Sequence, residues 1–257
     1  MPIFRISNRL VFFIHIPKTG GSTIETVLSR QGGIALLQDD YSDKLWGRCT
    51  LQHVHTEIYN MMFPTDFFDQ VFTVIRHPYA RAISEYKFRM SYPPRMRGMR
   101  GMYSGISFSE WVLRALDAAD RDPYVLDNHL RQQHEFLSPG IDIFRYEDGI
   151  ESIIATITKK FALPYCERLP HLRRGADEIV PVTAKAMKRL KQFYAADFSK
   201  LQYDDDIDRF VSETKTVVWS NQRGGFGSSL KYIRRSGVDI VQDCVTRLSR
   251  IGAHGGH

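Results

Sequence analysis

At 257 residues, with 43% hydrophobic and 25% charged side chains, the chain has an ordinary globular make-up and can bury one sizeable core, which excludes wholesale disorder and a fibrous repeat. Its 35 basic against 29 acidic residues, a formal charge of +6, favour an anionic partner, although a well-solvated surface gives the same balance. Cys49, Cys166 and Cys244 are widely spaced and form no CxxC, so neither a disulfide framework nor a zinc site is indicated and a reducing cytoplasm fits.

The first apolar run, residues 10–16, is too short to span a bilayer and lacks the shape of a secretory signal, so no membrane anchor is expected. It is instead β-branched and aromatic throughout, the pattern of a strand buried on both faces of a parallel sheet. Pro17 and the glycines end it, and from Ser22 the segment STIETVLSR sets Ile24, Val27 and Leu28 at helical spacing. A second strand is expected at Val71 to Ile75 in QVFTVIRHP, where Pro78 forbids continuation and a helix follows over about residues 80–89. Next comes SYPPRMRGMRGMYSG, rich in Pro, Gly, Met and Arg, which reads as a long connection or a lid.

A third strand at IDIFRYED, from Ile141, leads into the helical pattern of IESIIATITKKFAL. Three strand-to-helix units predict an α/β fold with a mainly parallel sheet covered by helices and ligands at the carboxyl ends of the strands. Periodicity weakens after Asp206. The expected organisation is therefore one domain over 1–206 and a basic, partly flexible extension over 207–257 with a short amphipathic helix near Val238 to Leu248.

Two loops carry the chemistry. In PKTGGST, a glycine-rich turn opens a helix, where free backbone N–H groups and the helix dipole attract phosphate. Lys18 precedes Gly20 and Gly21, whereas the triphosphate-binding GxxxxGK[ST] motif places its lysine after the last glycine. The bland alternative is a ligand-free turn capped by Ser22. In VIRHPYARAISEY, Arg76 leaves the second strand and Ser84 follows eight residues on, a fork of donors and a hydroxyl suited to a second phosphate. Here the alternative is that Arg76 and Arg81 are exposed charges at a helix start.

Together, in this order, IPKTGGST and VIRHPYARAISEY resemble the 5′-phosphosulfate loop and the 3′-phosphate motif of the sulfotransferases that use 3′-phosphoadenosine 5′-phosphosulfate, in particular the carbohydrate-type, family 2-like branch. FRYEDG at Phe144, LPHLRRG at Leu169 and LKQFYAADFSKLQYD at Leu190 are similar to later landmarks, so the resemblance spans roughly residues 10–206. It implies a P-loop-like three-layer fold, sulfuryl transfer to a hydroxyl or amine acceptor, release of adenosine 3′,5′-bisphosphate, and no required metal. By resemblance Lys18 contacts the leaving oxygen; Thr19, Gly20, Gly21, Ser22 and Thr23 hold the 5′-phosphate and sulfonate; Arg76 and Ser84 hold the 3′-phosphate.

The acceptor must lose a proton, and LQHVHTE supplies His53 and His55, which on an extended segment point to one face. The resemblance implies a histidine base in this region; Glu57 ranks third. His-x-His also suits a metal, but no third ligand stands at convincing spacing. His77 reads as structural, and Tyr86, Phe88 and Trp111 as core rather than adenine platforms. RMRGMR and the pair Arg173 and Arg174 either grip an anionic acceptor such as a glycan or solvate loops. Branch members of the Golgi carry an N-terminal anchor and stem; here the first strand begins within about ten residues of Met1, and a cytoplasmic enzyme is expected. Two other readings compete: an ATP-dependent kinase, which lacks its Walker lysine and magnesium carboxylate here, and a non-catalytic polyanion-binding module. Nucleic acid is not an expected partner.

Overall fold

The computed structural model describes residues 1–31, 34–37, 48–64, 66–91, 106–163, 180–206 and 211–213, all within the compact unit Met1–Val217. In chain order the elements are β1 (Ile3–Ile6), β2 (Arg9–Ile14), α1 (Gly21–Arg30), β3 (Ile34–Leu36), α2 (Thr56–Met62), β4 (Gln70–Ile75) and α3 (Pro78–Met90). They continue with α4 (Phe108–Arg121), β5 (Asp142–Arg145), α5 (Ile150–Lys160), β6 (Val180–Val182), α6 (Ala184–Phe193), α7 (Ala195–Lys200) and β7 (Val211–Glu213).

The main sheet has the order β3-β1-β2-β4-β5. β2 pairs in parallel with β4, and β4 with β5, while β1 runs antiparallel to both its neighbours. The three strand-to-helix units expected from the sequence are β2-α1, β4-α3 and β5-α5. β1 escaped notice because it is four residues long and alternates, with Arg5 exposed between buried neighbours.

β2 explains why its sequence is apolar without interruption. Val11 and Phe13 face one side, against Phe4, Phe72 and Val74 and the helical residues Ile24, Val27, Ile153 and Ile157. Phe12 and Ile14 face the other, against Ile3, Tyr59, Ile75 and Phe136. With both faces covered, the sheet is the middle of three layers. A third core surrounds Trp111 and joins α3, α4, β6, α6 and α7.

Both α1 and α3 begin slightly earlier than expected, at Gly21 and Pro78, with Gly20 and His77 as their N-caps. β7 lies beyond residue 206 and pairs in parallel with β6, so regular structure runs past the boundary read from the sequence. The arginine- and methionine-rich connection, the LPHLRRG stretch and the helix near 238–248 lie outside the described residues. No helix among the described residues is long and apolar enough to cross a membrane.

Because β2 and β4 are parallel neighbours, the loops that leave their carboxyl ends emerge side by side, and these are the two loops singled out above. Phe13 anchors this pair: it is fully buried and stacks on Phe72 at 4.9 Å between ring centroids. Phe13→Ala is expected to cost ~3–5 kcal/mol of unfolding free energy, read as a lowered urea midpoint with an unchanged slope.

Candidate active site

The first loop is held from within. Thr19 is fully buried and its hydroxyl donates to the Ile16 carbonyl at 2.8 Å, closing the turn. Lys18 takes a left-handed φ of 69°, unusual for a residue with a Cβ, and Gly20 follows at 88°. Gly20 then caps α1 without any side-chain cap, and the first turn holds no acidic residue, an arrangement that suits an anion at the positive end of the helix. Ser22 is exposed and Thr23 half-buried beside it.

Both glycines are also required by packing. A Cβ on Gly20 would lie 2.6 Å from Ile150 Cδ1, and one on Gly21 would lie 2.2 Å from His15 Nε2. His15 cannot readily give way, because its Nδ1 pairs with the Glu25 carboxylate inside the protein. Burial alone would raise the Glu25 carboxyl, but His15 and the Gln52 amide, at 3.0 and 2.9 Å, hold it below the usual range.

Arg76 reaches the first loop from the end of β4. Its Nη1 donates to the Lys18 carbonyl at 3.2 Å across 58 residues of sequence, and its guanidinium lies 4.2 Å from the Tyr146 ring centroid. Gln133 clamps its backbone, accepting from the Arg76 N–H at 2.9 Å and donating to its carbonyl at 2.7 Å. The next residue, His77, is structural as expected: it is buried and donates to the Asp204 carbonyl.

α3 presents three stripes. Tyr79, Ala82 and Ile83 face the Trp111 core, joined by the partly buried Tyr86 and Met90. Arg81, Glu85 and Arg89 form a buried charged row at a spacing of four. Ala80, Ser84 and Phe88 form a half-buried row, and the Lys18 ammonium lies 4.0 Å over the Phe88 ring. Lys18 therefore meets Arg76 at its carbonyl and Phe88 at its ammonium, and Ser84 lies one turn before Phe88 on the same row of α3. Burial lowers the Lys18 ammonium from its ordinary value; Glu85 opposes that, and Arg89 and Arg76 add to it.

Two expectations need correction. Arg81 is not an exposed helix-start charge: it is 1% exposed and donates to the carbonyls of Pro17, Arg131 and His129. Phe88 is not core but half-buried, with Lys18 on its face.

His53 and His55 do not share a face, because Leu51–His53 is a 3-10 turn rather than an extended segment. His53 is buried, with Nδ1 donating to Asp127 Oδ2 at 2.7 Å and its ring edge-on to His15 and His129 at 5.2 and 4.8 Å. Burial pushes it down to about 3, against the pull of Asp127. His55 stands apart: it caps α2, lies edge-on to Tyr124 at 5.5 Å, and has the exposed Glu57 at 3.4 Å.

The sequence reading missed the groups around His53. His129 donates Nδ1–H to Glu85 Oε2 at 2.7 Å, and Glu85 also accepts from Arg89 at 2.5 Å. Burial would raise Glu85, but His129, Arg89 and Lys18 outweigh it and hold it at about 2. The ligating atoms of His53, Asp127 and His129 lie within 4.8 Å of one another. The only signal for Glu85 in the sequence was its spacing of four from Arg81 and Arg89, which looks the same on a solvated helix face.

Two parallel strands that each feed a loop and a helix, with arginine and lysine meeting between the loops, define a P-loop-like α/β protein with an anion-seeking end. The family model described as the sulfotransferase family, of the family 2 type expected above, matches residues 2–204, and the chain belongs to that family. No curated protein and no solved structure matches it.

Gly21→Ala is expected to lower stability by ~1–3 kcal/mol through overpacking on His15, seen as a reduced thermal midpoint. A pH dependence follows from the buried groups. The unfolded chain protonates His53 at an ordinary 6.5, whereas the folded chain does so only near 3, so stability falls as pH drops through that window. Glu85, ordinarily 4.5 and about 2 when folded, adds a loss of the same sign as pH falls below 4.5. Urea unfolding between pH 7 and 5 should lose up to ~1.4 kcal/mol per pH unit from His53, and His53→Gln should flatten that slope.

Proposed function

We propose that the protein transfers a sulfuryl group from 3′-phosphoadenosine 5′-phosphosulfate to a hydroxyl or amine on a carbohydrate or other metabolite, in the cytoplasm, and releases adenosine 3′,5′-bisphosphate. The observation that carries this reading is the Arg76 contact with the Lys18 carbonyl, which joins the two motifs at the uncapped start of α1. The residues fit such a donor: backbone N–H groups with a helix dipole behind them, a lysine, and an arginine fork suited to a phosphate.

The donor supplies an activated sulfuryl group whose bridging oxygen departs as phosphate. In this reading Lys18 neutralises that oxygen; burial lowers its ammonium from the ordinary value, and Glu85 opposes that loss of charge. The N–H groups of Gly20, Gly21, Ser22 and Thr23 orient the 5′ end; the Thr19 hydroxyl is taken up by the Ile16 carbonyl, leaving it the task of shaping the turn. Arg76, stiffened by Gln133 and Tyr146, and Ser84 on the half-buried row of α3 hold the 3′-phosphate, the group that separates this donor from ATP. The reaction then rests on alignment and charge, with little covalent help from the protein.

Of the two histidines named as base, His53 belongs to the buried cluster that reaches Lys18 through His129, Glu85 and Phe88, while His55 does not. The acceptor proton therefore leaves through the His53 cluster. The net charge of +6 suits an acceptor that is itself anionic, such as a glycan.

Thermal unfolding with adenosine 3′,5′-bisphosphate, beside ADP and ATP with magnesium, tests the donor. A rise with the bisphosphate alone is expected; a rise only with ATP turns the reading toward a kinase, and no rise argues for a polyanion-binding module. Arg76→Ala should weaken bisphosphate binding ~10–100-fold, the worth of hydrogen bonds to a charged group. Lys18→Ala should cut turnover by ~10²-fold or more with the fold intact. Turnover unchanged in both variants overturns the site.

A further inference from the structure

We infer that His129, oriented by Glu85, is the side chain that takes the proton from the acceptor, an inference that rests on the sulfuryl-transfer reading above.

The argument begins with the partner of each nitrogen. Glu85 is fully buried and accepts from His129 Nδ1 at 2.7 Å, which fixes the proton on Nδ1 and leaves the Nε2 lone pair as the basic one. A carboxylate beyond the imidazole also stabilises the imidazolium that forms when Nε2 takes a proton. Next is position. The His129 ring lies 6.0 Å from the Phe88 ring and nearly parallel to it, and the Lys18 ammonium sits over Phe88 at 4.0 Å. His129 is thus one aromatic ring away from the cation that meets the leaving oxygen. His53 has no such contact; it is enclosed between His15 and His129.

The backbone is built to hold His129 there. Leu126, Asp127 and Asn128, immediately before it, all take left-handed φ values of 55°, 63° and 62°. Leu126 costs about 1–2 kcal/mol in that region and Asp127 and Asn128 less, so the run persists because Arg89 holds the Leu126 carbonyl and the side chains of the other two are tied down. Asp127 accepts from the Thr50 N–H at 2.6 Å, the Thr50 hydroxyl at 2.8 Å and His53; Asn128 donates to the His53 carbonyl at 2.8 Å. Arg81 then donates to the His129 carbonyl at 2.8 Å and to the Pro17 carbonyl at 2.9 Å. One buried guanidinium thereby fixes the backbone of His129 relative to the residue before Lys18.

The charged and titratable groups facing His129 are Glu85 and Arg89 from α3, Asp127 from its own turn and His53 from the 3-10 turn, with Lys18 on the Phe88 ring beside it. Burial lowers the imidazole, partly opposed by Glu85, so it is neutral and able to accept near pH 7. In the step itself the acceptor O–H proton passes to Nε2 as the new O–S bond forms. The S–O bond to the donor phosphate breaks with its electron pair on the departing oxygen, facing Lys18, and His129 later gives its proton to water.

Because the acceptor is not identified, the probe is the donor with water as acceptor: slow hydrolysis of 3′-phosphoadenosine 5′-phosphosulfate by the full chain, followed by adenosine 3′,5′-bisphosphate release across pH. His129→Gln is expected to lower the rate ~10²-fold or more at saturating donor, measured well below its own thermal midpoint and with bisphosphate affinity within error of wild type. Glu85→Gln should move the acidic limb of the rate to lower pH, since Glu85 raises His129, whereas a merely structural role lowers the rate uniformly. His53→Gln should cost less than tenfold. A His129→Gln rate within threefold of wild type, or an equal loss in His53→Gln, overturns the inference while leaving the sulfuryl-transfer reading intact; failure of wild type to bind the bisphosphate fails that reading instead. If wild-type hydrolysis is too slow to measure, imidazole ¹H–¹⁵N spectra decide. His129 should show Nδ1–H with a titration that moves upward when the bisphosphate binds, and a titration unmoved by it overturns the inference.

Discussion

A buried arginine sets the geometry of the candidate site. Arg81 is shielded from water and spends its donors on the carbonyls of Pro17, His129 and Arg131. Removing one partner from such an arrangement strands buried polar groups at about 1–3 kcal/mol each, so the first loop, the 126–131 turn and α3 are locked to one another. The same helix lays Glu85 and Arg89 along the row begun by Arg81, at a spacing of four, and offers Ser84 and Phe88 on the adjacent row. One helix therefore packs the third core, grips two loops and supplies part of the site floor.

Four of the eight described non-glycine residues with positive φ lie where this helix meets its partners, the others being Ser7, Leu37, Ala162 and Gln202. Lys18 and the three residues before His129 hold left-handed backbone conformations without being glycine. Asp127 and Asn128 are residue types that tolerate that region, Asn128 with a local bond from Arg131 at 3.0 Å and Asp127 held by Thr50 and His53, but Leu126 and Lys18 are not. Their conformations are fixed by neighbours: Thr19 closes the turn after Lys18, and Arg89 donates to the Leu126 carbonyl at 3.3 Å. Strain held this way is a mark of places where a side chain must be aimed rather than merely housed.

The parts legible in the sequence were those set by local pattern. The continuous apolar run of β2 announced a strand buried on both faces, and Pro17, Pro78 and the paired glycines marked where strands had to give way to helices. Together they were enough for the parallel core and for the two loops that leave its carboxyl ends. What stayed hidden depends on pairing across the chain. Glu85 and Arg89 look like any solvated spacing-of-four pair until the turn carrying His129 folds over them. His53 and His55 alternate in sequence, but His53 closes a 3-10 turn while Val54 and His55 are extended, and nothing local signals that turn. Gly21 looked like a phosphate contact, yet the nearest reason for it is the ring of His15 six residues earlier.

The glycine-rich loop is thus shaped by packing beneath it. In a loop shaped only by its ligand, the glycines give way to small residues at modest cost once the ligand is absent. Here Gly20 is pressed by Tyr146 and Ile150, and Gly21 by His15, so the protein's own interior fixes the turn before any anion arrives. Lys18 and Arg76 meanwhile rest their charges on the faces of Phe88 and Tyr146, contacts worth only about 0.5–2 kcal/mol apiece. In the proposed reading, a donor phosphate entering between them meets a turn already set by packing, so little of its binding energy goes into reorganising the loop. Preorganisation of this kind raises a transition-state interaction above what the same residues give on a mobile loop, and here it comes from the hydrophobic and histidine-lined core beneath the site rather than from the ligand.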